Sequence, residues 1–292
     1  MKTRIITGIV MAIVLIPIVL LGNWFMVACS ALLSYIGTYE LIKMHCAKSK
    51  LSIVDQYVVP LASSVIVILG GFMMLTNYVT LSHLFISLLG MFTIFLIASL
   101  FSNNHKLTDF MLFFGFVLYG GLGVFMAINS RFITMINGET VNYLGLVLIL
   151  YLAISTMFTD IGAYAIGMLF GKHKLCPNIS PNKTIEGAIG GTIIATTCGT
   201  IFLLVFENIL SFNLLGVDNN ILNIVFVALL SLSISIVSQM GDLIASKLKR
   251  EYDIKDYGFI FPGHGGVMDR FDSLIISGTF FFLVLSLLGV VI

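Results

Sequence analysis

Apolar runs of about 20 residues follow one another almost from end to end of this chain, and each is long enough to carry an α-helix across about 30 Å of hydrocarbon. With 59% hydrophobic residues, 10% charged residues and a mean hydropathy of +1.08, the chain lies far outside the norm for soluble domains. Marking apolar runs between polar breaks predicts nine spans, at 5–21, 24–42, 57–76, 80–101, 109–128, 142–170, 185–206, 221–245 and 272–292. The expected fold class is an all-α polytopic membrane protein of about nine transmembrane helices. Residues 1–292 form a single membrane domain, with 1–140 a helical scaffold and 141–292 the part that carries the motifs.

Met1-Lys2-Thr3-Arg4 and the apolar run behind it resemble a secretory signal, but no small-residue cleavage site follows, so the run reads as a retained first helix. Leu20-Leu21-Gly22-Asn23 and Thr76-Asn77-Tyr78-Val79 suit tight turns between antiparallel helices, because Gly and Asn tolerate the backbone angles required. Lys and Arg accumulate on the cytoplasmic side of membrane proteins. With the N-terminus inside, nine spans place Lys2 and Arg4, Lys43, Lys48 and Lys50, Lys106, Lys172, Lys174 and Lys183, and Lys247, Lys249, Arg250, Lys255 and Arg270 there. That is 14 of the 15 basic residues, with only Arg131 outside. One missed helix would invert every later loop, so the skew supports the span count and puts the C-terminus on the opposite side. The net charge of +1 gives no sign of a nucleic-acid partner. Cys29, Cys46, Cys176 and Cys198 lack CxxC spacing and read as packing residues.

Ionisable groups within or beside spans are costly and mark functional sites. Asp160, in Thr159-Asp160-Ile161-Gly162-Ala163-Tyr164, lies ten residues before the cytoplasmic end of the sixth span, about 15 Å deep at the helical rise. Gly162, Gly167 and Gly171 follow it and suit close helix packing. Next comes Ser180-Pro181-Asn182-Lys183-Thr184-Ile185-Glu186-Gly187, which presents a hydroxyl, an amide and an ammonium just before a helix N-terminus, where backbone N–H groups favour phosphate. An ordinary N-cap with Glu186 in the first turn is the plainer alternative.

In the eighth span Ser231, Ser235, Ser238, Asp242, Ser246 and Lys249 share one helix face. Serines also mediate helix contacts, which suits Ser231 and Ser235 but leaves Asp242 in need of a partner. The third region is the loop 247–273, where Lys247, Lys249, Arg250, Lys255 and Arg270 are matched by Glu251, Asp253, Asp256, Asp269 and Asp272. Acids mixed with bases suit a metal-bound polyphosphate, the acids holding Mg²⁺ and the bases the phosphate oxygens. Asp242 and Asp269, at the two ends of one loop between antiparallel spans, are expected at the same cytoplasmic mouth. Glycines around His264 allow close backbone approach to a ligand. Asp269, Asp272 or Ser273 could instead cap the ninth helix. His45, His83, His105 and His173 have no motif partner and read as structural. No GxxxxGK[ST] run and no zinc-type His cluster occurs.

Ser246, Lys249-Arg250, Lys255-Asp256, Gly258, Pro262, His264-Gly265-Gly266, Asp269-Arg270 and Asp272 resemble, in order and spacing, the signature of the CDP-diacylglycerol synthase (phosphatidate cytidylyltransferase) family. Thr159–Tyr164, Phe170-Gly171-Lys172, Ser180–Thr184 with Glu186-Gly187, and Gln239-Met240-Gly241-Asp242 resemble its other motifs, so the resemblance runs from Thr159 to Ser273. It implies CTP and phosphatidate as substrates, Mg²⁺ with K⁺ as an accessory cation, a homodimer, and an active site at the cytoplasmic face of the inner membrane. It also implies Asp242 and Asp269 as metal ligands and, with Lys249, Arg250, Lys255, His264 and Asp160, as catalytic residues. Asn182, Lys183, Ser246, Gly265, Gly266, Arg270, Asp256 and Asp272 are the implied substrate-binding residues. The competing class is a transporter or channel using Asp160 and Asp242 as ion relays, but the charge concentrates in two loops rather than across several spans. The absence of an internal repeat also weighs against the inverted-repeat transporters. A transferase acting on a polyprenyl or ether-lipid phosphate is the other enzymatic reading.

Overall fold

A computed structural model describes residues 2–47, 53–76, 78–101, 106–136, 139–216 and 219–290. Lys48, Lys50, Asn77 and His105 lie outside them, as do the side chains of Lys2 and Arg4. The helices are α1 (Lys2–Leu21), α2 (Asn23–Cys46), α3 (Ile53–Leu75), α4 (Leu81–Phe101), α5 (Leu107–Val117), α6 (Gly123–Asn129), α7 (Leu144–Phe170), α8 (Ile185–Leu210), α9 (Asn220–Glu251) and α10 (Met268–Leu287). A π-helical turn, Leu118–Leu122, joins α5 to α6, and a 3-10 turn, Ser130–Phe132, extends the same run, so Leu107–Phe132 counts as one span. Among the described residues eight segments are long and apolar enough to cross a membrane, and the remaining expected span falls on α1, whose apolar stretch Ile6–Leu21 is shorter. Four short strands make two antiparallel hairpins, β1 (Met135–Ile136) with β2 (Glu139–Thr140) and β3 (Lys174–Cys176) with β4 (Ser180–Thr184).

The chain divides into two compact units, Met1–Asn129 with Glu251–Phe271, and Ser130–Arg250 with Asp272–Ile292. In the first, the α1–α2 turn has positive φ at Gly22 (63°) and Asn23 (45°), as the residue types predict. Small residues then let the helices approach. A Cβ on Gly71 would overlap Val27, and one on Gly121 would come within 2.8 Å of the Ser63 carbonyl. His45 on α2 joins the Tyr252 hydroxyl through Nδ1 at 2.9 Å and the Asp109 carboxylate through Nε2 at 3.4 Å, which ties α2, α5 and the segment after α9 together. Burial, with Glu251 and Asp109 nearby, pushes the Tyr252 phenol up, so it stays a neutral hydroxyl in that link.

In the second unit α7 and α8 run side by side. The buried positions of α8, Gly187, Gly191, Ala195, Gly199, Leu203 and Glu207, recur every fourth residue and form a seam of mostly small side chains. A Cβ on Gly191 would stand 2.5 Å from the Thr159 carbonyl and 2.8 Å from the Ala163 amide nitrogen, so the two backbones meet there. α9 is joined by hydroxyls and an amide. Tyr151 and Ser231 share a 2.8 Å hydrogen bond, Thr159 donates to Ser235 at 2.7 Å, and Gln239 donates to Thr192 at 2.8 Å. Gly162, Gly167 and Gly171, and Ser231 and Ser235 of the polar stripe, are therefore packing residues.

Several helix ends lie four to six residues from the expected span boundaries, and two of these shifts bear on the motifs. α9 continues to Glu251, so Lys247, Lys249 and Arg250 sit on helix rather than loop, and α10 starts at Met268, so Asp269 and Asp272 lie inside it. Hydropathy marks where lipid cover ends, whereas helical hydrogen bonding continues through charged residues, and cations near a helix C-terminus are favoured. Gly191→Ala is expected to lower the detergent melting midpoint by an amount equivalent to about 1–3 kcal/mol, from overpacking against backbone. Gly90→Ala, where nothing lies within 4 Å, should leave it unchanged or slightly raised.

Candidate active site

In the second unit the site is built on the β3–β4 hairpin and the helices around it. Ser180–Thr184 is not an open loop but the strand β4, which runs directly into α8. Thr184 caps that helix, its hydroxyl accepting from Gly187 N at 3.1 Å. Glu186 accepts the amides of Lys172 and His173 at 3.1 and 3.2 Å and meets His173 Nδ1 at 2.6 Å, fastening the end of α7 to the start of α8. Lys183, one residue before the cap, is thereby presented to α9, where its ammonium pairs with the Asp242 carboxylate. One turn along, Ser246 donates to Asp242 at 3.4 Å.

Asp272 is buried, with Asp242, Lys249 and Asp160 as its charged neighbours, and its own carboxylate accepts Ser273 N at 2.7 Å. Arg250 donates to the Ile179 carbonyl at 3.3 Å in the turn between β3 and β4. Asp160 and Asn182 are exposed. This unit thus gathers Asp160, Lys183, Asp242, Ser246, Lys249 and Asp272 into one mixed-charge cluster, with Asn182 on the strand beside Lys183.

In the first unit the loop after α9 folds over the start of α10. Asp269 accepts Tyr257 N at 2.8 Å and Gly266 N at 2.9 Å on one oxygen, the second bond reaching back three residues as in a capping box. The loop tip is a tight turn in which Phe261 N bonds Gly265 O at 2.9 Å and His264 N bonds Phe261 O at 2.8 Å. Its φ values of 76° at Gly263 and 86° at Gly265 require glycine. Arg270 donates to the His264 carbonyl at 2.8 Å. A cavity of ≈ 560 Å³ opens here, lined by Lys255, Asp256, Phe259, Phe261, Pro262, Gly263, His264, Gly265 and Arg270. Two cations face one carboxylate in it, and His264 Nδ1 is buried without a hydrogen-bond partner among the described residues. Such a lining suits phosphate oxygens.

Among the described residues no three His, Cys, Asp or Glu side chains are grouped to hold a metal ion by themselves. Mg²⁺ takes one or two carboxylates and completes its shell with substrate phosphates and water, so it asks for fewer protein ligands than a closed structural metal site.

Two buried acids were missed at the level of sequence, Glu40 on α2 and Glu207 on α8, 3% and 5% exposed. Glu40 accepts Val267 N and Met268 N, both at 3.0 Å, and so holds the N-terminus of α10 together with Asp269, which accepts Gly266 N. Each acid interrupts an apolar run, which was the available signal.

A sequence model of the cytidylyltransferase family matches residues 2–288. The chain belongs to the cytidylyltransferase family. It is 32% identical to a phosphatidate cytidylyltransferase of Bacillus subtilis, over 98% of each chain. It is 35% identical to one of Staphylococcus haemolyticus and 33% identical to one of Staphylococcus aureus, in both cases over 100% of this chain and 99% of the relative. Membership extends across the helices before Thr159, where sequence motifs gave no resemblance. For this family member, Lys183→Ala and Asp242→Ala should be non-additive in melting experiments. The double variant is expected to lose about 1 kcal/mol less than the two singles together, and strict additivity would contradict the pairing.

Proposed function

We propose that this enzyme transfers the cytidylyl group of CTP to phosphatidate at the cytoplasmic face of the inner membrane, giving CDP-diacylglycerol and pyrophosphate for phospholipid synthesis. The cavity that presents Lys255, Arg270 and His264 beside Asp256, on a chain of membrane-spanning helices, carries the reading, because it offers a soluble polyphosphate a seat within reach of lipid. Full-length similarity to phosphatidate cytidylyltransferases supports the substrate pair. The basic residues, 14 of 15 on one side in a nine-span topology with the N-terminus inside, support the face.

A phosphatidate phosphate oxygen attacks the α-phosphorus of CTP. A new P–O–P link forms, the bond from the α-phosphorus to the bridging oxygen of the β-phosphate breaks, and pyrophosphate leaves with the bonding pair. The attacking phosphate is already a competent nucleophile, so the protein's work is positioning and charge neutralisation. Lys255 and Arg270 hold phosphate oxygens in the cavity, with His264 as a further donor. Lys183, Lys249 and Arg250 serve the second cluster, where Asn182 and Ser246 add neutral polar contacts and Asp160 and Asp272 balance the charge. Gly265 and Gly266 keep the backbone close to the ligand, and Asp256 tempers the cavity's positive charge. We assign Mg²⁺ to Asp242 and Asp269 on the sequence motif, with K⁺ as an accessory cation; when bound, the metal would neutralise the triphosphate and stabilise the leaving group. A homodimer is the proposed assembly.

The test is conversion of labelled CTP by purified protein in detergent with phosphatidate, with and without Mg²⁺, alongside Asp269→Asn. Labelled lipid that requires both phosphatidate and Mg²⁺ and falls by at least about a hundredfold in the variant is expected, as for a lost electrostatic contact in the transition state. No labelled lipid from folded wild type would remove phosphatidate as the substrate.

A further inference from the structure

The first six helices carry none of the signature residues, yet they pack in the same unit as the signature loop. Glu40, near the end of α2, is the link. Its Oε1 accepts Val267 N and its Oε2 accepts Met268 N, so both oxygens are committed to amides at the start of α10 that have no partner within the helix. A carboxylate is favoured there by the helix dipole. The same carboxylate backs onto Gly258 and Gly266, and a Cβ at either glycine would overlap it. Glu40 therefore grips the chain on both sides of the cavity-lining stretch from Phe259 to Gly265. A second anchor comes from α1, where Thr7 donates to the Pro262 carbonyl at 3.0 Å at the loop tip.

The grip extends to the cavity and to a proposed metal ligand. Gly266, fixed from behind by Glu40, donates its amide to Asp269, and Arg270 follows Met268 by two residues and donates to His264 O. We infer that Glu40 is a positioning residue for the reaction: it holds the loop so that Arg270, His264 and Asp269 keep the placement that substrate phosphates require. The inference rests on the cavity being the seat of those phosphates. It assigns a reason to Gly258 and Gly266 that ligand approach alone does not supply, since their missing side chains make room for the Glu40 carboxylate. A carboxylate buried to this degree is costly unless its hydrogen bonds are all made, so a role confined to filling space would be served better by an apolar side chain.

Glu40→Gln is the direct probe. Each Glu40 oxygen takes one of the two N–H groups, and the glutamine amide puts an NH₂ in place of one oxygen, so in the same placement one backbone N–H would face an N–H of the glutamine. The KM for CTP or for phosphatidate should rise on the order of tenfold, the scale of one lost charge-assisted hydrogen bond. Glu207→Gln is the matched control. That acid is equally buried and accepts Leu214 N at 2.9 Å and Asn223 Nδ2 at 2.7 Å, all within the second unit, and its KM values should stay within about twofold of wild type. A merely structural role would lower the active fraction, and hence the apparent kcat, without moving either KM. If Glu40→Gln does not yield folded protein, Glu40→Asp keeps the charge but withdraws it by one methylene, and the same rise in KM is expected. Wild-type KM values in the folded Glu40 variant overturn the inference. Arg270→Ala separates the two layers: raised KM there with Glu40 variants unmoved condemns the role of Glu40, whereas wild-type KM in Arg270→Ala condemns the cavity reading.

Discussion

Burying a charge among apolar helices is costly unless it is paired or hydrogen-bonded, and this constraint shapes both units. The backbones of α7 and α8 meet through Gly187 and Gly191 because small residues allow it, and the hydroxyls of Tyr151, Thr159, Ser231 and Ser235 then pair with one another rather than with lipid. The same rule disposes of the charges. Glu207 takes Leu214 N and Asn223, Glu186 takes two amides and His173, and Glu40 takes the first amides of α10. Asp242, with Lys183 and Ser246 as its neighbours, belongs to the motifs.

Much of this was legible in the sequence, because hydrocarbon thickness makes span length a physical measure. The expected turn at Gly22-Asn23 and the packing role of Gly162 and Gly167 follow from backbone freedom and small size, which a sequence displays directly. Helix ends were less legible. α9 runs on through Lys249 and Arg250 because nothing in their side chains breaks a helix, and the polar count that signals a loop reports solvent rather than backbone conformation.

Long-range pairing was not legible at all. Nothing in Tyr39-Glu40-Leu41 says that its carboxylate meets Val267 and Met268, more than 220 residues later, and the strand character of Ser180–Thr184 depends on a hairpin partner at Lys174–Cys176. For the same reason the N-terminal helices read as scaffold, although the loop with Lys255, His264 and Arg270 is seated on their unit. The glycines of the signature show both kinds of cause. Gly263 and Gly265 take left-handed backbone, which is local, whereas Gly258 and Gly266 yield space to a residue from another helix.

The central claim is that the bond broken in CTP lies between the α- and β-phosphates, with the nucleotidyl half passing to a lipid phosphate. The most direct measurement compares CTP labelled at the α-phosphate with CTP labelled at the γ-phosphate, each incubated with the enzyme, phosphatidate and Mg²⁺, and follows the label. The account predicts α-label in the lipid and γ-label in pyrophosphate. Label from the γ-phosphate appearing in the lipid would mean phosphoryl transfer and would contradict it.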